Sequence, residues 1–193
     1  MTLNTEAERQ QHEAVDRVQS WRDRLGTGLV LVIDTETTGL SGVVFEFTAR
    51  DLKTGNVVLS FMCNTGEAVW ENTAAMMHDD RIKTVAAMPA PVLYLPVLQE
   101  LLEGVYLLAF NAKFDLAAMI RTWPDLVRLG LSDMTDCVME TYAALNAEFS
   151  ESKGTYRYVS FKAACQRAGI DRPHIHDSPN DTLSLVELIK TML

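Results

Sequence analysis

Two carboxylates one residue apart, Asp34 and Glu36 in Asp34-Thr35-Glu36-Thr37-Thr38-Gly39-Leu40, directly follow the apolar run Leu29-Val30-Leu31-Val32-Ile33. A short apolar run with β-branched residues predicts a buried strand. Strand side chains alternate faces, so Asp34 and Glu36 share one face and Thr35 takes the other. Open α/β sheets place ligands at the C-terminal ends of their strands. Two carboxylates crowded there repel each other unless a positive charge lies between them. A hard divalent cation with oxygen ligands meets that need.

Two further stretches carry the same kind of chemistry. Phe110-Asn111-Ala112-Lys113-Phe114-Asp115 stands where the apolar run Val105–Phe110 gives way to a helix. Asp115 is thus a third carboxylate at a strand's end. Asn111 is placed to bond nearby backbone or cap the helix, and Phe114 to pack beneath the site. His176-Asp177-Ser178-Pro179-Asn180-Asp181 opens the last helix. Asp181 falls in its first turn, where the helix dipole favours a negative charge. His176 lies in the loop just before it. Taken singly, Asp115 reads equally well as a helix-start carboxylate, and His176 reads better as a solvated loop histidine. His174 and His176 as a zinc pair is disfavoured, because no cysteine or third histidine is nearby in sequence.

The elements that must position these residues follow from pattern and punctuation. Residues 4–24 predict an amphipathic helix, with Ala7, Ala14, Val15, Val18 and Trp21 at helical spacing, ended by Gly26-Thr27-Gly28. Strands are expected at about 29–34, 43–49 and 57–62, the last two joined by a hairpin turn over 51–56. The stretch 64–88 carries short helical pieces. Helices are expected at 92–103, 113–122, 138–148 and 159–168, and from Pro179 to the C-terminus. Strands at 105–110 and about 133–137 lie between them. Hairpin-linked strands followed by strands alternating with helices imply an α/β fold of ribonuclease-H-like type, a mixed five-stranded sheet flanked by helices. The N-terminal helix is extra to that plan. The expected organisation is an N-terminal helical extension over 1–27 and a main domain over 28–193.

Composition bounds the function. The chain has 193 residues, 48% hydrophobic and 22% charged, with a net charge of −9. That length suits one domain with a full core, and the balance is that of an ordinary globular protein. The acidity argues against broad binding of phosphate backbone, which relies on Lys and Arg. No apolar run approaches the roughly 18 residues of a membrane span, so no membrane role is expected. The N-terminus is polar, unlike a secretory signal. Cys63, Cys137 and Cys165 lie far apart, as reduced thiols in a cytoplasmic protein do.

Taken together, the heptad, the Asn-x-x-Phe-Asp segment and the His-x4-Asp ending resemble the DEDDh, or DnaQ-like, 3′–5′ exonucleases. That family includes the epsilon subunit of bacterial DNA polymerase III, RNase T and oligoribonuclease. The resemblance spans about residues 28–192. The heptad is its most specific part, and outweighs the plain reading of a turn after a strand. The resemblance implies two divalent ions, Mg²⁺ or Mn²⁺, held by Asp34, Glu36, Asp115 and Asp181, with Asp34 bridging them. It implies His176 as the general base; of the two histidines, only this one has the spacing to Asp181. It assigns Thr35, Thr37, Thr38, Gly39, Leu40, Asn111 and Phe114 to the terminal nucleotide, with Leu40 wedged against the last base. Residues 64–88 match the family poorly.

The expected activity is release of 5′-mononucleotides from the 3′ end of single-stranded nucleic acid, DNA favoured over RNA. Lys113, Lys153, Arg157 and Lys162 are candidate backbone contacts, and Tyr156 and Tyr158 candidate stacking platforms. Asp136 and Glu46 read as structural. An exonuclease of RNA or short oligoribonucleotides shares the chemistry, and the acidic charge favours short substrates. A non-catalytic subunit is the reading of another class, with the N-terminal helix meeting a second copy or a polymerase or replication partner. The intact acid set argues against it.

Overall fold

The expected strand at 29–34 extends to Thr37, because its neighbour keeps pairing beyond the acids. The computed structural model describes residues 5–66, 70–171 and 176–193. In it β1 (Val30–Thr37) pairs antiparallel with β2 (Val44–Asp51) from Leu31↔Asp51 to Thr37↔Val44. Asp34 and Glu36 therefore lie inside the strand rather than beyond it. β2 pairs antiparallel with β3 (Val57–Met62), while β1, β4 (Tyr106–Ala109) and β5 (Thr135–Cys137) run parallel. The order β3-β2-β1-β4-β5 is the mixed five-stranded sheet of a ribonuclease-H-like fold.

The helices are α1 (Glu6–Thr27), α2 (Asn72–Met77), α3 (Asp79–Ala86), α4 (Leu95–Leu102), α5 (Ala112–Thr122), α6 (Val138–Asn146), α7 (Phe161–Arg167) and α8 (Ser178–Met192). Both faces of the sheet are covered, and the alternation of β1 feeds both cores. Leu31 and Ile33 pack with Leu98 and Leu102 of α4 and Ala118 and Met119 of α5. Val30 and Val32 pack with Trp21 of α1, Tyr142 of α6 and Leu185, Leu188 and Ile189 of α8. α1 is extra to the sheet-and-helix framework, yet its apolar stripe of Ala14, Val18 and Trp21 is buried in the molecule's own core. A capping box between Thr5 and Glu8 starts it.

Other boundaries moved for local reasons. The expected helix 92–103 is a 3₁₀ turn, Pro91–Tyr94, followed by α4, with Pro96 in the first turn where its missing N–H costs nothing. α6 stops at Asn146, and a two-residue hairpin follows, β6 (Phe149–Ser150) with β7 (Thr155–Tyr156). Strands that short leave no periodicity to read. Cys63, Cys137 and Cys165 are free thiols. Among the described residues no single helix is long and apolar enough to cross a membrane.

Candidate active site

Two elements deliver three carboxylates to one point. Asp34 and Glu36 come from the face of β1 that meets α8, and Asp181 from the first turn of α8. One carboxylate oxygen from each lies within 4.8 Å of the others. α5 covers the opposite face, so Asp115 reaches the site around the strand. Its Oδ1 accepts from the Thr35 N–H at 3.1 Å and the Thr35 hydroxyl at 2.8 Å. Thr35, the residue that alternation turns away from the acid pair, thereby locks the fourth carboxylate in place.

Repulsion within this cluster is large. Burial pushes the Asp34 carboxyl well above the usual carboxylate range, and Asp115, Glu36, Asp181 and Glu46 each push it further. Burial also raises Asp115, against the two Thr35 hydrogen bonds that lower it. Every charge that shifts Asp34 is negative. Clustered hard oxygen donors of this kind fit a divalent metal such as Mg²⁺ or Mn²⁺.

The acids line one wall of a cavity of about 670 Å³. Thr35, Thr37, Gly39, Leu40, Asn111, Phe114 and His176 line it too. Leu40 is 79% exposed at its mouth. The Thr37 hydroxyl donates to the Gly39 carbonyl at 2.7 Å. Thr38 is buried and its hydroxyl accepts from the Val43 N–H, so it shapes the loop. Asn111 stands at the N-cap of α5, but its side chain makes no capping bond there. His176 adopts a left-handed backbone, φ 61°. His174 lies outside the described residues.

Residues 70–86, which showed no motif, supply several neighbours of the site. His78, at the junction of α2 and α3, is 2% exposed and sets its Nε2 3.4 Å from Glu36 Oε2. Its Nδ1 is buried without a hydrogen-bond partner among the described residues. Its ring stands edge-on to that of His176, centroids 6.0 Å apart. Glu71 donates its N–H to the Thr38 carbonyl and accepts from the Ser41 N–H at 3.3 Å. A Cβ at Gly39 would fall 2.1 Å from Glu71 Cδ, so a side chain there would have to displace the Glu71 carboxylate from the Ser41 N–H. Met77 and Phe161 add apolar wall. A buried histidine in an irregular helical pair leaves no sequence signal.

Most of the other candidates are placed elsewhere. Asp136 accepts from Trp21 Nε1 at 2.7 Å and from the Tyr106 hydroxyl at 2.5 Å, a structural role that ties α1 to the sheet. Lys113 pairs with Glu140 and Arg157 with Glu148, while Tyr156 donates to the Ala7 carbonyl. Lys162 lines the cavity, and Tyr158 is exposed.

No family model matches the chain, and no curated protein matches it in sequence. Solved structures do. Exonuclease X in complex with 5′-overhanging duplex DNA aligns with 84% of this chain and 92% of its own, at 22% identity and a TM-score of 0.58. Exonuclease I of E. coli, bound to a dT13 oligonucleotide, aligns at 15% identity and a TM-score of 0.67 over 84% of this chain, which spans 40% of that protein. Pop2p of S. pombe, in a form with Mg²⁺ and Mn²⁺ bound, aligns over 92% of this chain and 88% of its own, at 10% identity and a TM-score of 0.61. At these identities the likeness is one of fold, the ribonuclease-H-like fold.

Proposed function

We propose that this protein is a metal-dependent 3′–5′ exonuclease that hydrolyses single-stranded DNA from its 3′ end and releases 5′-mononucleotides. The observation that carries the reading is the convergence of Asp34, Glu36 and Asp181, one oxygen each within 4.8 Å, in a cavity also lined by Asp115 and His176. Three structural neighbours support it: two exonucleases bound to DNA, and Pop2p with Mg²⁺ and Mn²⁺ bound.

Asp34, Glu36, Asp115 and Asp181 would hold two divalent ions, Mg²⁺ or Mn²⁺. Such ions supply positive charge for the scissile phosphate and the departing 3′ oxygen. The remaining work falls to the chain's own groups. His176 takes the proton of the attacking water on a ring nitrogen. Thr35 holds Asp115 in register. Leu40, Met77, Phe114 and Phe161 offer the apolar surface on which a terminal base rests, and Thr37, Gly39 and Asn111 the polar groups beside it. Residues 28–193 form the exonuclease domain in this reading. Residues 1–27 are its helical extension, a surface through which a second copy or a replication protein would dock.

The test follows nucleotide release from a 3′-labelled oligonucleotide with Mg²⁺ or Mn²⁺. Activity that survives Asp34→Ala, or that needs no metal, overturns the reading. Deoxy- and ribo-oligonucleotides of graded length assign the substrate. Faster turnover of short RNA moves the reading to an oligoribonucleotide exonuclease.

A further inference from the structure

The backbone of His176 lies in the left-handed region, φ 61°, which is uncommon for L residues, so contacts from the surrounding structure help to hold it. The first turn of α8 is also held from β2 and the core. Thr48 Oγ1 meets Ser178 Oγ at 2.8 Å, Arg50 Nη2 donates to the Pro179 carbonyl at 2.8 Å, and Leu185, Leu188 and Ile189 sit in the core. Residues Glu46, Thr48 and Arg50 alternate along β2 and so present one polar face to the start of α8. Asp181 is therefore placed by the sheet. The loop is a separate problem.

Arg81 of α3 addresses that problem. Its Nη1 donates to Glu46 Oε2 at 2.7 Å and its Nη2 to Asp177 Oδ2 at 2.8 Å. Asp177 is the residue after His176, and its other oxygen caps α8 by accepting from the Asn180 N–H at 3.2 Å. Glu46 lies directly across β1–β2 from Glu36, and its Oε2 also accepts from the Ser178 N–H at 2.9 Å. The three side chains are only 17%, 5% and 24% exposed, so these charge-assisted bonds are little screened. One guanidinium thus bridges α3, β2 and the loop. Its single positive charge is shared between two carboxylates that stand outside the proposed metal set.

We propose that Arg81 is a positioning residue that fixes the His176 loop through Asp177 and Glu46. The proposal rests on the exonuclease reading for its effect on rate. A fork of two donors is needed, so lysine does not replace it.

The test measures kcat, KM and Mn²⁺ affinity by calorimetry for wild type, Arg81→Gln, Arg81→Lys, His176→Ala and the double variant Arg81→Gln/His176→Ala. Arg81→Gln is expected to lower kcat by about 10- to 100-fold with KM and Mn²⁺ affinity nearly unchanged. Arg81→Lys recovers little. In the His176→Ala background the same change costs less than about threefold, because the loop it holds no longer carries the base. Amide exchange at residues 176–178 rises in Arg81→Gln while β1 stays protected. Full activity in Arg81→Gln, an equal loss in the His176→Ala background, or Mn²⁺ binding lost in parallel overturns the proposal. Should Arg81→Gln fail to fold, Asp177→Asn removes the charge but keeps a capping residue, and the same non-additivity is expected. A wild type that releases no nucleotide overturns the exonuclease reading. The exchange experiment then still decides whether Arg81 holds the loop.

Discussion

The Nε2 of His78 lies 3.4 Å from Glu36 Oε2, close enough to steer that carboxylate. Groups that orient a ligand are worth about 10- to 100-fold in metal affinity or activity. His78→Leu is therefore expected to weaken Mn²⁺ binding by about tenfold or more, while His78→Gln, which keeps an N–H near the same place, loses less. Calorimetric titration with Mn²⁺ checks this, and equal affinities in both variants would remove His78 from the site. The acids make a second prediction. Burial and mutual repulsion raise Asp34 and push Asp115 up to about 7, against an unfolded value near 4. A carboxyl raised on folding binds its proton more tightly in the native state, so metal-free stability falls as pH rises between those values. Melting in EDTA is expected to drop from pH 5 to pH 7.5, and added Mn²⁺ to restore more stability at the higher pH. Asp34→Asn removes one of the repelling charges. It is expected to raise the metal-free melting temperature at pH 7.5 by about 2–4 °C, the equivalent of roughly 1 kcal/mol, while abolishing nucleotide release.

At the scale of elements, the site is a meeting of strand and helix ends. β1 supplies two acids by alternation, α5 supplies Asp115 from the other face of the sheet, and the polar stripe of β2 seats the first turn of α8. α1 contributes from a distance. Trp21 is fully buried and donates to Asp136, which also accepts from Tyr106 on β4, the strand beside β1. Trp21→Ala removes that ring and one of the two donors to Asp136. A loss of about 3–5 kcal/mol is expected from urea unfolding. A loss under about 1 kcal/mol would show that α1 is a loosely attached extension.

The whole molecule is acidic, and among its basic side chains Lys113 and Arg157 are paired with glutamates. A protein of this charge grips few phosphates. The logarithm of kcat/KM on single-stranded DNA is expected to fall with the logarithm of salt concentration at a slope of about −1 to −3, since each single-strand phosphate contact contributes about −0.7. A slope steeper than about −5 would reveal an extended backbone track. On the exonuclease reading, a cavity of about 670 Å³ suits the end of a strand rather than its length.

The sequence by itself determined the strand that carries Asp34 and Glu36, the mixed α/β plan and the helix starts that bear Asp115 and Asp181. These are local properties: alternation, apolar runs, helix punctuation and the special residues of turns. Only the tertiary structure decided what surrounds them. Thr35 as the partner of Asp115, Glu71 over Gly39, His78 on Glu36 and Arg81 across Glu46 and Asp177 are separated in sequence by 80, 32, 42, 35 and 96 residues respectively. Side chains brought together by chain folding leave no periodicity and need no motif. The acids were legible because their spacing is fixed by the geometry of single elements. The groups that hold them were not, because their spacing is fixed by how those elements pack.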